Sequence, residues 1–245
     1  MSLKTLIFIP TYNESGNAPQ ICGQIHALGL DADVLFVDDN SPDGTGAALE
    51  ALKPAFPRLV VHHRSGKLGI GSAHLDGIHW AYDQGYARLI TMDCDFTHSP
   101  ADIPRLIEAS QGYDVVVGSR FLQKDSLPGW SPVRKMMTST GHFLTKTLLG
   151  MPCDASGAFR VYDLTRIPRE IFGLVSARGY AFFFESLFIL SRNKFTINEV
   201  PIVLPSRVAG TSKMSLKEIW RGLARLFLVS LLSVLRPRRF KLSKS

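Results

Sequence analysis

Apolar and polar positions alternate in two periods along the first half of the chain. Short apolar runs at residues 6–9, 34–37, 59–61, 89–92 and 115–117 have the length and content of buried strands. Between them, residues 17–28, 44–52, 71–82 and 101–110 recur every three to four positions, as amphipathic helices do. This alternation predicts a mainly parallel sheet covered by helices on both faces. After Arg120 the pattern breaks into a Pro-, Gly- and Ser-containing stretch, 123–132, expected to be a surface loop, and a helical pattern resumes over 133–149. No internal repeat or low-complexity linker marks a boundary. The first apolar run is too short for the core of a signal peptide and is expected to be the first strand.

Ligands of open α/β sheets sit just beyond the carboxyl ends of the strands, so the residues that follow each run carry the candidate chemistry. The central run, 89–92, stops at Asp93 and Asp95, and Ser99-Pro100 opens the next helix. Two carboxylates spaced i, i+2 suit a hard divalent ion such as Mg²⁺ or Mn²⁺ that shares substrate phosphates. Taken alone, so short and common a pattern is better accounted for by a helix-capping Asp beside a solvated one. The first strand ends in Pro10-Thr-Tyr12-Asn-Glu14 and the second in Asp38-Asp39. Neither the dinucleotide fingerprint nor the P-loop is present. The glycine cluster Gly66-Lys67-Leu-Gly69-Ile-Gly71 reads either as backbone amides and one Lys facing an anion or as a flexible turn before a helix.

Composition adds three constraints. With 245 residues, 45% of them hydrophobic, the chain can bury one sizeable core. Three scattered cysteines (Cys22, Cys94, Cys153) form neither a disulfide framework nor a zinc pattern, which fits a reducing, cytosolic compartment. The net charge of +7 is concentrated at one end: residues 200–245 hold ten Lys/Arg against Glu218 alone, leaving −2 for the remainder. That points to a local anionic partner.

The motifs Ile-Pro-Thr-Tyr-Asn-Glu, Val-Asp-Asp-Asn-Ser-Pro-Asp-Gly-Thr, Met-Asp-Cys-Asp-Phe-Thr-His-Ser-Pro and Val-Val-Gly-Ser-Arg occur in that order. They resemble the inverting nucleotide-sugar glycosyltransferases of family 2. Asp154-Ala-Ser-Gly157-Ala-Phe-Arg160, Phe184-Glu185, Glu199-Val-Pro-Ile and Arg207-Val-Ala-Gly210-Thr-Ser-Lys213 narrow the resemblance to the polyprenyl (dolichyl) phosphate mannosyltransferases, over about residues 4–226. The resemblance implies a GT-A fold, a Rossmann-like, mainly parallel sheet flanked by helices. It implies a donor pocket of Pro10, Tyr12, Glu14, Asp38 and Asp39, a Mg²⁺ or Mn²⁺ ion at Asp93 and Asp95, and cations for the donor diphosphate at Lys67 and Lys213. Arg120, Arg134 and Arg207 would meet the acceptor's phosphate, with Arg207 joining Asp93 and Asp95 in catalysis. Relatives often carry Gln where this chain has Thr97, a shorter oxygen donor, which implies an ion held through water or more loosely.

The implied reaction moves mannose from GDP-mannose to a polyprenyl phosphate with inversion. A phosphate monoester, with its second pKa near ~6, is already ionised and needs no general base. His98 and His142 accordingly read as an ordinary loop and an ordinary helix-surface histidine. A UDP-sugar donor such as UDP-glucose is the alternative. Tyr12, Glu14 and the aspartates do not by themselves tell guanine from uracil. A non-catalytic sugar-nucleotide binder is a further alternative, disfavoured by the intact aspartates.

At the carboxyl end Lys217, Arg221 and Arg225 fall on one helical stripe, while Leu216, Ile219, Trp220, Leu223, Leu226 and Phe227 cover much of the rest. Residues 228–235 are apolar apart from two serines, and Arg236-Pro237-Arg238-Arg239 follows. A membrane span needs ~20 apolar residues, and Arg225 interrupts this one. The expectation is a catalytic domain over 1–212 and, over 213–245, a basic amphipathic helix and tail lying on the anionic cytoplasmic face of a membrane. Packing of its first half on the catalytic core, or a short tilted insertion, are the alternatives. The charges interleave with Leu, Phe and Trp and no nucleic-acid motif is present, so nucleic acid is not an expected partner.

Overall fold

The computed structural model describes residues 3–206 and 216–243. Its centre is a seven-stranded sheet in the order β3-β2-β1-β4-β6-β5-β7. The strands are β1 (Thr5–Thr11), β2 (Ala32–Asp38), β3 (Leu59–His63), β4 (Arg88–Thr91), β5 (Val115–Ser119), β6 (Arg160–Asp163) and β7 (Ile197–Pro201). All pairings are parallel except those of β6, which is antiparallel to both β4 and β5. The sheet is therefore mixed and mainly parallel, with β6 wedged between strands that are neighbours in sequence order.

Period-two alternation divides the core into two layers. Leu6 and Phe8 of β1, Leu35 and Val37 of β2, and Leu89 of β4 face one layer. Ile7, Ile9, Val34, Phe36 and Ile90 face the other. The second layer is closed by α1 (Ala18–Ala27), α2 (Thr45–Glu50) and α4 (Ile103–Ala109), which follows a 3₁₀ turn at Pro100–Asp102. The first is closed by α3 (Ile70–Asp83), α6 (Glu170–Gly173), α7 (Phe182–Arg192) and parts of α5 (Pro132–Leu149) and α8 (Leu216–Leu235). α3 approaches β1 so closely that a Cβ on Gly77 would lie 2.3 Å from the Phe8 ring.

Every strand and helix expected before residue 150 is present, with ends shifted by two residues or fewer. β6, α6, α7 and β7 were not anticipated. β6 and β7 are short, and α7 is buried almost all round, so neither carries a strong amphipathic signature.

Inside β6, Arg160 is 1% exposed. Its guanidinium donates to the carbonyls of Gly157, Ala155 and Phe183 and to the hydroxyls of Tyr162 and Ser186. Five acceptors replace the water it loses, and they tie β6 to α7.

α8 packs on α5, where the Ser230 hydroxyl donates to the Leu148 carbonyl at 3.1 Å. Leu226 and Val229 are buried, and the following tail folds back with Phe240 edge-on against Phe188. Among the described residues no helix is long and apolar enough to cross a membrane.

Candidate active site at the carboxyl ends of the strands

A cavity of about 700 Å³ opens at the carboxyl edge of β1 and β4. It is lined by Pro10, Tyr12, Glu14, Asp39 and Lys67, by Asp93 and Asp95, and by Arg178, Gly179, Tyr180, Glu218, Arg221 and Arg225. Parallel register brings the ends of β1 and β2 side by side, Thr11 opposite Asp38. That register gathers sequence-distant strand ends into one site.

The Lys67 ammonium lies 4.2 Å from the centre of the Tyr12 ring, a cation–π distance that leaves both side chains on the cavity. Glu14 accepts from the Asn17 amide at 2.7 Å. Asp39 is buried and receives the Arg64 guanidinium, which also reaches the Ser72 hydroxyl on α3. Burial pushes the Asp39 carboxyl above its ordinary value, and the Arg64 charge offsets only part of that. Asp38 stands behind the cavity rather than on it: its carboxylate holds the backbone N–H and hydroxyl of Ser41 and so shapes the loop after β2.

The two central aspartates are unlike. The Asp95 side chain is buried, while that of Asp93 keeps 35% of its surface. Phe96 adopts a left-handed φ of 60°. That turn brings the Thr97 N–H and hydroxyl back onto Asp95 Oδ1 at 3.1 and 2.5 Å. Thr97 therefore orients Asp95 through its hydroxyl. His98, 3% exposed and set against Phe159, accepts the Asp93 backbone N–H at Nδ1, 2.9 Å away. Burial drives its pKa down to about 4, so it is neutral with its proton on Nε2. It is a support for the acidic loop, a role that spacing alone does not reveal. Among the described residues no group of three or more His, Cys, Asp or Glu gathers as a metal cage.

Arg120 and Arg134 are not among the residues that line this cavity. Arg120 forms a fork with Asp154, Nε to Oδ2 at 2.7 Å and Nη2 to Oδ1 at 2.6 Å, and Asp154 has no exposed surface. Burial pushes the Asp154 carboxyl up, but Arg120 outweighs it and holds the group below its ordinary value. Arg134 sits at the start of α5 with its guanidinium 3.6 Å from the Trp130 ring centre. Arg207 and Lys213 lie outside the described residues. Residues 204–206 are pinned beside the 126–130 loop, where Ser206 N–H donates to the Pro128 carbonyl at 3.0 Å.

The glycine cluster has a packing reason. A Cβ on Gly69, whose φ is +99°, would meet the Arg178 carbonyl at 2.6 Å, and one on Gly71 would meet Phe182 Cβ at 2.5 Å. The loop before α3 thus abuts the segment before α7, and both line the cavity.

The model for glycosyl transferase family 2 matches residues 6–167. The chain belongs to glycosyl transferase family 2. It is 37% identical over 215 residues to polyprenol monophosphomannose synthase of Mycolicibacterium smegmatis, covering 86% of this chain and 81% of that one. It is 35% identical over 214 residues to undecaprenyl-phosphate mannosyltransferase of Micrococcus luteus, covering 87% and 88%. In fold it matches mannosyl-3-phosphoglycerate synthase from Rubrobacter xylanophilus with a TM-score of 0.67 at 17% identity, over 96% of this chain and 75% of that one. Glucosyl-3-phosphoglycerate synthase from Mycobacterium tuberculosis, solved with Mn²⁺, UDP-glucose and phosphoglyceric acid, matches at 0.66 and 18% identity, over 95% and 79%. At such identities these neighbours establish the GT-A architecture of this family member and no more.

Proposed function

We propose that the protein transfers mannose from GDP-mannose to the phosphate of a polyprenyl phosphate, with inversion at the anomeric carbon. The observation that carries this reading is the single cavity that unites Tyr12, Glu14, Asp39 and Lys67 with the Asp93/Asp95 pair, in a chain 37% identical to a polyprenol monophosphomannose synthase. The nucleoside would pack at the Tyr12 end, with Glu14 and Asp39 accepting from ribose hydroxyls or base amines. Its diphosphate would run toward Asp93 and Asp95, with Lys67 and Lys213 offsetting charge.

Asp93 and Asp95 fit a Mg²⁺ or Mn²⁺ ion, since two carboxylates lining the cavity, that of Asp93 partly exposed, leave positions for phosphate oxygens and water. Such an ion, when bound, would neutralise the diphosphate as it leaves. The chain's own part is positional: Thr97 steadies Asp95, and His98 steadies the backbone of Asp93. No base is assigned to either histidine, because the acceptor phosphate brings its own ionised oxygen; His142 stacks on Phe121 at 3.9 Å. Arg134 and Arg207 would receive the acceptor phosphate. Arg120, already forked to Asp154, would set the geometry of that site from behind.

Exposed apolar residues on α5 and α8 support a place at a membrane surface. Trp220, Phe227, Leu231 and Val234 form one exposed apolar stripe along α8, and Val133, Met136, Met137 and Phe143 are exposed on the adjoining α5. Exposed Arg236, Arg238 and Arg239 follow the stripe. An apolar face with a basic end suits an anionic leaflet, here assigned to the cytoplasmic side.

Labelled GDP-mannose and UDP-glucose, offered with a polyprenyl phosphate in the presence and absence of Mn²⁺, test the reading. Mannolipid formed from GDP-mannose and suppressed by chelator is the expected result. Glucolipid alone would overturn the donor assignment, and no lipid product from either donor would overturn the reaction.

A further inference from the structure

The basic stripe of α8 is divided in the fold. Arg221 is exposed at the cavity, paired with Glu218, whereas Arg225 turns inward and meets Glu185, a carboxylate with no exposed surface. Glu185 accepts from Arg225 Nε and Nη2 at 3.0 and 2.7 Å, from the Ser176 N–H and hydroxyl at 3.1 and 3.0 Å, and from the Ala177 N–H at 3.2 Å. One carboxylate thus holds both the C-terminal helix and the segment that precedes α7. On its other side that segment clasps the glycine loop. The Arg178 carbonyl accepts the Ser72 N–H at 3.0 Å and stands where a Cβ on Gly69 would have to go. Lys67, on the cavity over Tyr12, belongs to that loop.

A buried ion pair adds little net stability compared with well-packed hydrocarbon. The five directed hydrogen bonds that Glu185 accepts are better explained by what they align. We propose that Glu185 and Arg225 are positioning residues for the donor: they seat α8 as a wall of the cavity and, through residues 176–179, hold the Lys67 loop in its binding position. The inference rests on the donor site argued above. It also makes the helix that carries the membrane-facing stripe part of the machinery that binds a water-soluble sugar nucleotide.

Arg225→Met removes the guanidinium while keeping much of its stem, and Arg225→Lys keeps the charge but loses the fork. Amide exchange on the full chain is followed at Ser72, Ala177 and the strands β1 and β2, and GDP-mannose affinity is measured with Mn²⁺. For Arg225→Met, exchange at Ser72 and Ala177 should rise tenfold or more with β1 and β2 unchanged. Donor affinity should fall about tenfold, and Arg225→Lys should recover part of both. Unchanged exchange at those two amides, or donor affinity equal to wild type, would overturn the proposal. So would a uniform rise across the sheet, the mark of a merely structural residue, seen with both variants. If Arg225→Met does not fold, Arg225→Lys decides by the same two readouts. Wild-type protein that fails to bind GDP-mannose would instead defeat the functional reading, and the pair is then judged by exchange alone.

Discussion

On the nucleotide side, β3-β2-β1-β4 are parallel and buried among hydrocarbon side chains. The buried charges there, Asp38, Asp39, Arg64 and Asp95, collect at the carboxyl edge. On the other side, β6 reverses direction and ionised groups lie within the core itself: Arg160, Asp154 and Glu185 have 1% exposure or less. The first region can fold on apolar burial and hold its charges ready for a ligand. The second needs its charges paired before it can close, because an unpaired buried ion costs several kcal/mol. One half gathers its charge at the edge of the cavity, and the other uses much of it as internal structure.

The largest effect should come from the edge of the first region. Asp95→Ala removes a carboxylate from the cavity without opening the core. Transfer should fall on the order of 10³-fold, about 4 kcal/mol of transition-state stabilisation. Circular dichroism and the thermal midpoint should stay near wild type. Normal turnover by this variant would mean that the charges at this edge are not held for the reaction.

The complementary break lies across the sheet. Asp154→Asn leaves the Arg120 guanidinium buried without its counter-charge and should cost about 3–5 kcal/mol in denaturant titrations. The pH dependence has a definite sign. The native Asp154 carboxyl titrates below its ordinary value. Its stabilisation is therefore complete above the unfolded pKa of ~3.9 and is lost as pH falls through the lower native value. Wild type should lose stability more steeply than Asp154→Asn below about pH 4, with exchange rising first in β5, β6 and β7. Equal acid slopes for the two proteins would remove the distinction between the halves.

A smaller loss is expected where the first region depends on fit. A methyl group on Gly77 would lie 2.3 Å from a Phe8 ring that packs edge-on against His74 at 5.1 Å, so neither side can simply swing away. Gly77→Ala should cost about 1–3 kcal/mol with little change in acid slope. A neutral or stabilising result would show that the contact between α3 and β1 is looser than hydrocarbon packing requires.

The same contrast explains what could be read from the residues. Continuous apolar runs such as Leu6–Ile9 and the helical pattern of α3 are local signals, and parallel register then brings Pro10, Tyr12, Glu14 and Asp39 together with Asp93 and Asp95. β6 could not be found in that way. It is four residues long, and what holds it is Arg160 reaching Phe183 and Ser186. Arg225 looked like one of three equivalent basic positions on a helix until Glu185, forty residues away, claimed it. Thr97 and His98 are neighbours of the aspartates in sequence, yet their duties depend on the left-handed turn at Phe96. Arg207 and Lys213 lie outside the described residues, and their roles stay at the level of the resemblance.

The smallest expected effect on stability isolates the exposed apolar stripe of α8 that is proposed to meet lipid. Trp220 is 71% exposed, so Trp220→Glu removes no core contact and should change the unfolding free energy by no more than about 0.5 kcal/mol. Phe227, Leu231 and Val234 remain on the stripe, so sedimentation with anionic vesicles should weaken several-fold rather than vanish. The loss should be greater in high salt, where the attraction of Arg236, Arg238 and Arg239 to the leaflet is screened. Transfer to a lipid acceptor presented in vesicles should fall in step, while transfer to a short-chain acceptor dissolved in detergent should hold. If both assays fall equally, Trp220 acts through the cavity wall formed by the same helix, and α8 belongs to the site more than to the membrane.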